Sequence, residues 1–134
     1  MVCIYCGGDL GVTNSRPQKS RNQTWRRRLC KACGAVFTSE EAIDLSQALS
    51  VASGPDLQPF DRDRLFVSIY ESLRHRQQAA GDARGLADTV AAYIIAGAED
   101  GRIETRTIAD IILSTLQRFD HAAATHYAAF HTQK

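Results

Sequence analysis

Apolar residues recur along this chain with two different periods, and the period changes after about its first third. Between residues 10 and 38 they come as short runs broken by polar residues. Val12–Arg16, Thr24–Leu29 and Ala35–Thr38 each read as a β-strand, the first expected to stop at Pro17, whose ring fixes the backbone and removes a donor. In the second run Trp25, Arg27 and Leu29 fall on one face and Arg26 and Arg28 on the other, because successive side chains of a strand point to opposite sides. Gln18–Gln23 is polar and predicts a turn, and Glu40–Leu49 reads as a linker or a short helix. Leu49–Ala52 predicts a strand, turned by Gly54-Pro55-Asp56 into another that ends at Pro59-Phe60.

From Asp61 onward the period lengthens to three or four residues, which predicts four helices. Asp61 is the expected N-cap of the first, whose Leu65, Ile69 and Leu73 form one stripe with Phe66 beside it. The second is expected from about Asp82 to Glu99, with Leu86, Val90, Tyr93 and Ile94 on one face. Asp100-Gly101 ends it, and Arg102-Ile103-Glu104 can return as a short strand. Thr105 is the expected cap of the third, which carries Ile108, Ile111, Ile112, Leu116 and Phe119 at helical spacing. Asp120 is the expected cap of a last, alanine-rich helix reaching about His131, with Tyr127 and Phe130 as its bulky residues.

Composition changes this picture at one end. The first third of the 134 residues holds too few apolar side chains for a core, and all four cysteines. Cys3-x-x-Cys6 and Cys30-x-x-Cys33 are separated by 23 residues, a pattern that lets two tight knuckles converge on one tetrahedral cation. Zinc is therefore expected on Cys3, Cys6, Cys30 and Cys33. A disulfide-linked secreted domain is the first rival reading and a redox Cys-x-x-Cys pair the second. An all-cysteine set leaves no position for a substrate water, so the metal is structural. Trp25 and Phe37 are expected to pack as the small unit's own core. His75, His121, His126 and His131 have no partner at ligand spacing, and no catalytic motif is present, so no enzyme activity is expected.

Formal net charge is only +1, but it is unevenly placed. Residues 11–31 carry seven cations (Arg16, Lys19, Arg21, Arg26, Arg27, Arg28 and Lys31) and no acid to neutralise them. Residues 46–134 carry nine basic and eleven acidic residues. A basic surface on a metal-held scaffold suits phosphate contacts, with guanidiniums free to read guanine edges, so double-stranded DNA is the expected partner of those seven residues. The chain has no amino-terminal apolar segment, and its longest apolar run, Val90–Ala98, is too short to span a bilayer. A cytoplasmic protein with reduced cysteines is expected.

Several motifs stand together in one order: Cys3-x-x-Cys6, Val12-Thr13-Asn14-Ser15-Arg16-Pro17, Arg26-Arg27-Arg28-Leu29-Cys30-x-x-Cys33-Gly34, Phe37-Thr38-x-x-Glu41, Pro59-Phe60-Asp61-Arg62-Asp63-Arg64-Leu65, Gly101-Arg102-Ile103, and Asp120, Ala123 and Tyr127-Ala128. Their combination resembles NrdR, a bacterial repressor of ribonucleotide reductase genes, over nearly the whole chain. The resemblance implies an α+β chain: a three-stranded zinc ribbon over 1–45 that binds DNA, then over 46–134 an ATP-cone of short strands and four helices. It implies ATP or dATP as a second ligand, homo-oligomerisation through the cone, and control of DNA binding by nucleotide through oligomeric state. Val51, Arg62, Arg64 and Tyr127 are the nucleotide-binding positions it points to. The sequence departs from the family where basic residues would reach phosphate, at Ala52 and Ser53, and at Ala124, where an aromatic residue would stand. The second reading is accordingly a zinc-ribbon interaction module whose degenerate cone senses no nucleotide.

Overall fold

A computed structural model describes residues 1–131 and divides the chain into two compact units, Met1–Ile43 and a second beginning at Asp44. The first unit is a three-stranded antiparallel sheet in the order β1-β2-β3, with β1 over Leu10–Gln18, β2 over Gln23–Cys30 and β3 over Val36–Ala42. A single 3₁₀ turn, Lys19–Arg21, joins β1 to β2. Contrary to expectation, β1 does not stop at Pro17, which pairs with Thr24. Because β1 lies at the edge of the sheet, a residue with no N–H can be accommodated without breaking a ladder on both sides. A bulge between Val12 and Asn14 leaves Thr13 unpaired, and its hydroxyl donates to the Arg27 carbonyl at 3.2 Å.

Two further expectations for this unit are corrected. Strand β3 continues to Ala42, so only Ile43 and Asp44 separate it from a one-turn helix α1, Leu45–Ala48, which Asp44 caps by accepting from the Ser46 amide at 3.0 Å. Trp25 and Phe37 do not form a buried core. Both are only partly covered, and the buried side chains of the unit are Cys3 and Cys30.

The second unit carries a small sheet, β5-β4-β6, built from β4 (Ser50–Ser53), β5 (Asp56–Pro59) and β6 (Arg102–Glu104), with β6 parallel to β4. Helices α2 (Arg62–Leu73), α3 (Ala79–Gly97), α4 (Thr105–Phe119) and α5 (His121–His131) supply its core. Ile69, Leu73, Val90, Ile94 and Leu116 are fully enclosed, and each such side chain contributes roughly 1.5–3 kcal/mol of burial. Helix α3 starts three residues earlier than expected, and Tyr93 is half exposed because small residues, Ala83, Ala87 and Ala91, complete its inner face. Thr105 is not the cap of α4. Glu104 stands at that position, and the register of β6 on β4 brings the Thr105 hydroxyl to the Ala52 carbonyl at 2.9 Å.

Asp120 closes the helical part. Its carboxylate accepts from the Ala123 amide at 2.9 Å and from Arg76 at 2.8 Å, with His75 at 3.2 Å. The Ala123 amide first, then Arg76 and His75, hold its carboxyl well below the usual carboxylate range despite its burial. A carboxylate so held stabilises the fold above its unfolded value of 3.8 and loses that contribution as pH falls below it. The melting temperature of the second unit is therefore expected to drop as pH is lowered from 5 to 2 (about one to two units either side of the ordinary carboxylate value). Asp120→Asn, which keeps a cap acceptor, should flatten that drop, and Asp120→Ala should lower stability at pH 7 more than Asp120→Asn does. Thermal unfolding followed by circular dichroism across this range checks both.

Candidate metal centre and nucleic-acid interface

The two Cys-x-x-Cys segments fold into matching knuckles. In the first, the Cys3 amide donates to the Gly8 carbonyl and the Gly7 amide to the Cys3 carbonyl, each at 2.9 Å. In the second, Cys30 donates to Ala35 at 2.8 Å and Gly34 to Cys30 at 3.0 Å. Gly7 and Gly34 have φ of 71° and 74°, a conformation that residues with a Cβ resist, which explains a glycine one position after the second cysteine of each pair. Backbone amides also reach sulfur: Tyr5 donates to Cys3 Sγ at 3.4 Å and Cys33 to Cys30 Sγ at 3.5 Å.

The knuckles bring all four Sγ atoms within 4.8 Å of one another, with Cys3–Cys33 at 3.6 Å and Cys6–Cys30 at 3.5 Å. Four sulfurs bound tetrahedrally at about 2.3 Å stand about 3.8 Å apart, so the donor set fits zinc in size and chemistry. The Cys33 amide, followed by that of Ala32, draws the Cys30 thiol down to about 6 against the effect of burial. Cys6 gains a lowering hydrogen bond from Gly8, but the neighbouring Cys30 and Cys33 thiols outweigh it and push Cys6 up to about 12. Four thiols this close resist ionising together, and a divalent cation among them removes that resistance. Cys3, Cys6, Cys30 and Cys33 would thus hold one structural zinc, and the pairs bridge nothing as disulfides.

The seven cations all lie on this metal-held unit but not on one face. Arg16 is on β1, Lys19 and Arg21 are on the turn at the hairpin tip, Arg26, Arg27 and Arg28 are on β2, and Lys31 is in the second knuckle. Sequence reasoning missed what β3 brings. Arg26 pairs with Glu41 at 3.1 Å and donates to the Ser15 hydroxyl at 3.3 Å, Arg28 donates to Ser39 at 2.7 Å, and Arg21 lies 3.9 Å from Glu40. The neutralising acids absent from residues 11–31 come from the next strand, and strand alternation at Ser39 and Glu41 was the signal that could have revealed them.

In the second unit the four residues expected to contact nucleotide come from three elements, β4, α2 and α5. Val51 on β4 is half-buried opposite Gln58, and Arg64 donates to that Gln58 at 3.4 Å, so these two share a neighbour. Arg62 is ion-paired with Asp88 of α3. Tyr127 lies in the core, where burial pushes its hydroxyl pKa up. Ala124 is also buried, and the Ala52 carbonyl is occupied by Thr105. Of the two guanidiniums among these four, Arg62 has an acidic partner and Arg64 has none among the described residues. No helix among the described residues is long and apolar enough to cross a membrane.

Known proteins point the same way. The family model described as the amino-terminal domain of NrdR-like transcriptional repressors matches residues 1–41. The chain is 33% identical over 130 residues to the transcriptional repressor NrdR of Methylobacterium sp. (strain 4-46), covering 96% of this chain and 69% of that protein. It is 32% identical to that of Rhodospirillum centenum, covering 84% of the relative, and 33% identical to that of Azorhizobium caulinodans, covering 75%. If the cysteine cluster is the metal site, purified chain carries one zinc per polypeptide by plasma mass spectrometry, and Cys6→Ser and Cys30→Ser each lose most of it. Full zinc content in either variant would show the metal to be held elsewhere.

Proposed function

Because the chain belongs to the NrdR family of transcriptional repressors, we propose that it is a DNA-binding repressor whose zinc ribbon engages operator DNA in the control region of ribonucleotide reductase genes. The observation that carries this reading is the gathering of Arg16, Lys19, Arg21, Arg26, Arg27, Arg28 and Lys31 on one small unit whose two knuckles bring Cys3, Cys6, Cys30 and Cys33 together. Phosphate contacts by such cations release counterions and give affinity without consuming specificity. The metal supplies no chemistry beyond rigidity, and the protein acts as a regulator, not a catalyst.

The second unit carries the finer part of the reading, oligomerisation of the chain under the influence of ATP or dATP. Arg64, joined to Val51 through Gln58, is the candidate contact with nucleotide. One set of observations favours the alternative, a cone that oligomerises without sensing nucleotide: Arg62 is neutralised by Asp88 and Tyr127 is enclosed.

Two experiments test the repressor reading and the role of the second unit. Electrophoretic shift of DNA from upstream of the host's ribonucleotide reductase genes should show affinity that falls steeply with salt and is lost on chelation of zinc. Binding that survives metal removal contradicts the ribbon's role. Light scattering of zinc-loaded protein alone, with ATP and with dATP decides between the two accounts of the cone. A nucleotide-dependent change in mass supports nucleotide control, and an unchanged oligomer that still binds DNA supports the insensitive cone.

A further inference from the structure

Burial of alternate residues in the middle of β2 and the start of β3 distinguishes the two faces of the ribbon sheet. Along β2, Arg26 and Arg28 are half-buried while Arg27 and Leu29 are exposed. Along β3, Phe37 and Ser39 are half-buried while Val36, Thr38 and Glu40 are exposed. Residues opposite each other in an antiparallel pair project from the same side, so the register assigns each neighbour to a face. One face carries Ser15, Arg26 and Ser39 in a row, with Phe37 and Glu41 on the same side. The other carries Asn14, Arg27 and Thr38 in one row and Arg16, Trp25 and Glu40 in the next.

The first face is partly covered. Tyr5 of the first knuckle lies over it, 5.5 Å from the Phe37 ring. The Arg26 guanidinium spans all three strands, held by Ser15 on β1 and twice by Glu41 on β3, and Arg28 is held by Ser39. For Arg26 to reach a phosphate it must first leave a charge-assisted partner. The second face is open. Arg16 and Arg27 are exposed, and neither makes a side-chain hydrogen bond or ion pair among the described residues.

We propose that the ribbon reads DNA with this open face, an assignment that rests on the DNA-binding reading above. Arg27 and Asn14, direct cross-strand partners with Cβ atoms about 5 Å apart, meet adjacent base edges. A guanidinium fork matches the guanine edge and a carboxamide the adenine edge, and the major groove admits a two-stranded ribbon of the kind β1 and β2 form. Arg16 supplies a phosphate contact, and Trp25, half-covered between Arg16 and Glu40, gives apolar surface against sugar or thymine methyl. Arg26 and Arg28 are then positioning residues that tie the strands together, and Glu41 withholds the charge of Arg26 from indiscriminate phosphate binding.

The test compares two probes, a 20-bp duplex selected from a random pool by the wild-type chain and the unselected random duplex, with zinc content checked for every variant. Arg27→Ala is expected to weaken binding to the selected duplex about tenfold or more, the scale of one lost bidentate base contact. Arg27→Lys should keep affinity for random duplex and lose discrimination, because lysine retains charge without the fork. Arg26→Ala and Arg28→Ala should leave the ratio of the two affinities within about threefold, well inside the span of one such contact. Glu41→Gln should strengthen random-duplex binding and steepen the dependence of log affinity on log salt by about one, as one more phosphate contact would.

Discrimination abolished by Arg26→Ala and untouched by Arg27→Lys would reverse the faces and overturn the assignment. An unchanged salt slope in Glu41→Gln would remove the role given to that carboxylate. Should Leu29→Ser alter the mass in light scattering while Arg27→Ala leaves both DNA affinities intact, the open face is a protein interface and the assignment fails. Failure of the wild-type chain to bind any duplex sinks the DNA reading itself, which is a different result from a silent Arg27. If Arg27→Ala loses zinc, Arg27→Lys carries the comparison.

Discussion

The convergence of four sulfurs on one point is the constraint from which the first unit follows. Its side chains are mostly polar, and the residues it encloses are Cys3 and Cys30. Three strands without an apolar face have little reason to stay paired in water. Coordination of zinc by such a set contributes roughly 10–16 kcal/mol in comparable small sites, which is the scale of a whole domain's stability. The metal takes the place that a hydrophobic core takes in the second unit, and the matching knuckles, with Gly7 and Gly34 in the left-handed region, exist to bring four thiols to it.

A sheet held from one end by a metal can spend its side chains on something other than packing. Here they divide by face. Ser15, Ser39 and Glu41 fix Arg26 and Arg28 as cross-strand ties, while Arg16 and Arg27 stand free on the opposite side. The result is a basic unit whose charge is partly cancelled from within, and under the proposal above recognition falls to the guanidiniums without an internal partner among the described residues.

The amount of this legible in the chain varied with the physical range of each interaction. Cysteine spacing, the alternation of β2 and the helical stripes Leu65–Ile69–Leu73 and Ile112–Leu116 are local patterns, and the structure follows them. Asp61 and Asp120 cap their helices as expected, since a cap is settled within three residues. The main corrections are long-range. Thr105 turns to the Ala52 carbonyl because β6 lies beside β4, Pro17 stays in its strand because β1 is an edge, and Trp25 and Phe37 remain only partly covered on a sheet whose two faces are not packed against a buried apolar layer. Glu40 and Glu41 were read as linker, yet strand pairing sets them beside Arg21 and Arg26. The departures from the resembled family's pattern at Ala52, Ser53 and Ala124 were visible as letters, whereas the pairing of Arg62 with Asp88 and the enclosure of Tyr127 needed the fold.

Metal, not packing, holds the ribbon. Amide hydrogen exchange of the full chain, measured zinc-loaded and after chelation, tests it most directly. The account predicts that amides of β1, β2 and β3 lose their protection when zinc is removed, while those around Ile69, Val90 and Ile94 keep theirs. Ribbon amides that stay protected in metal-free protein would contradict it.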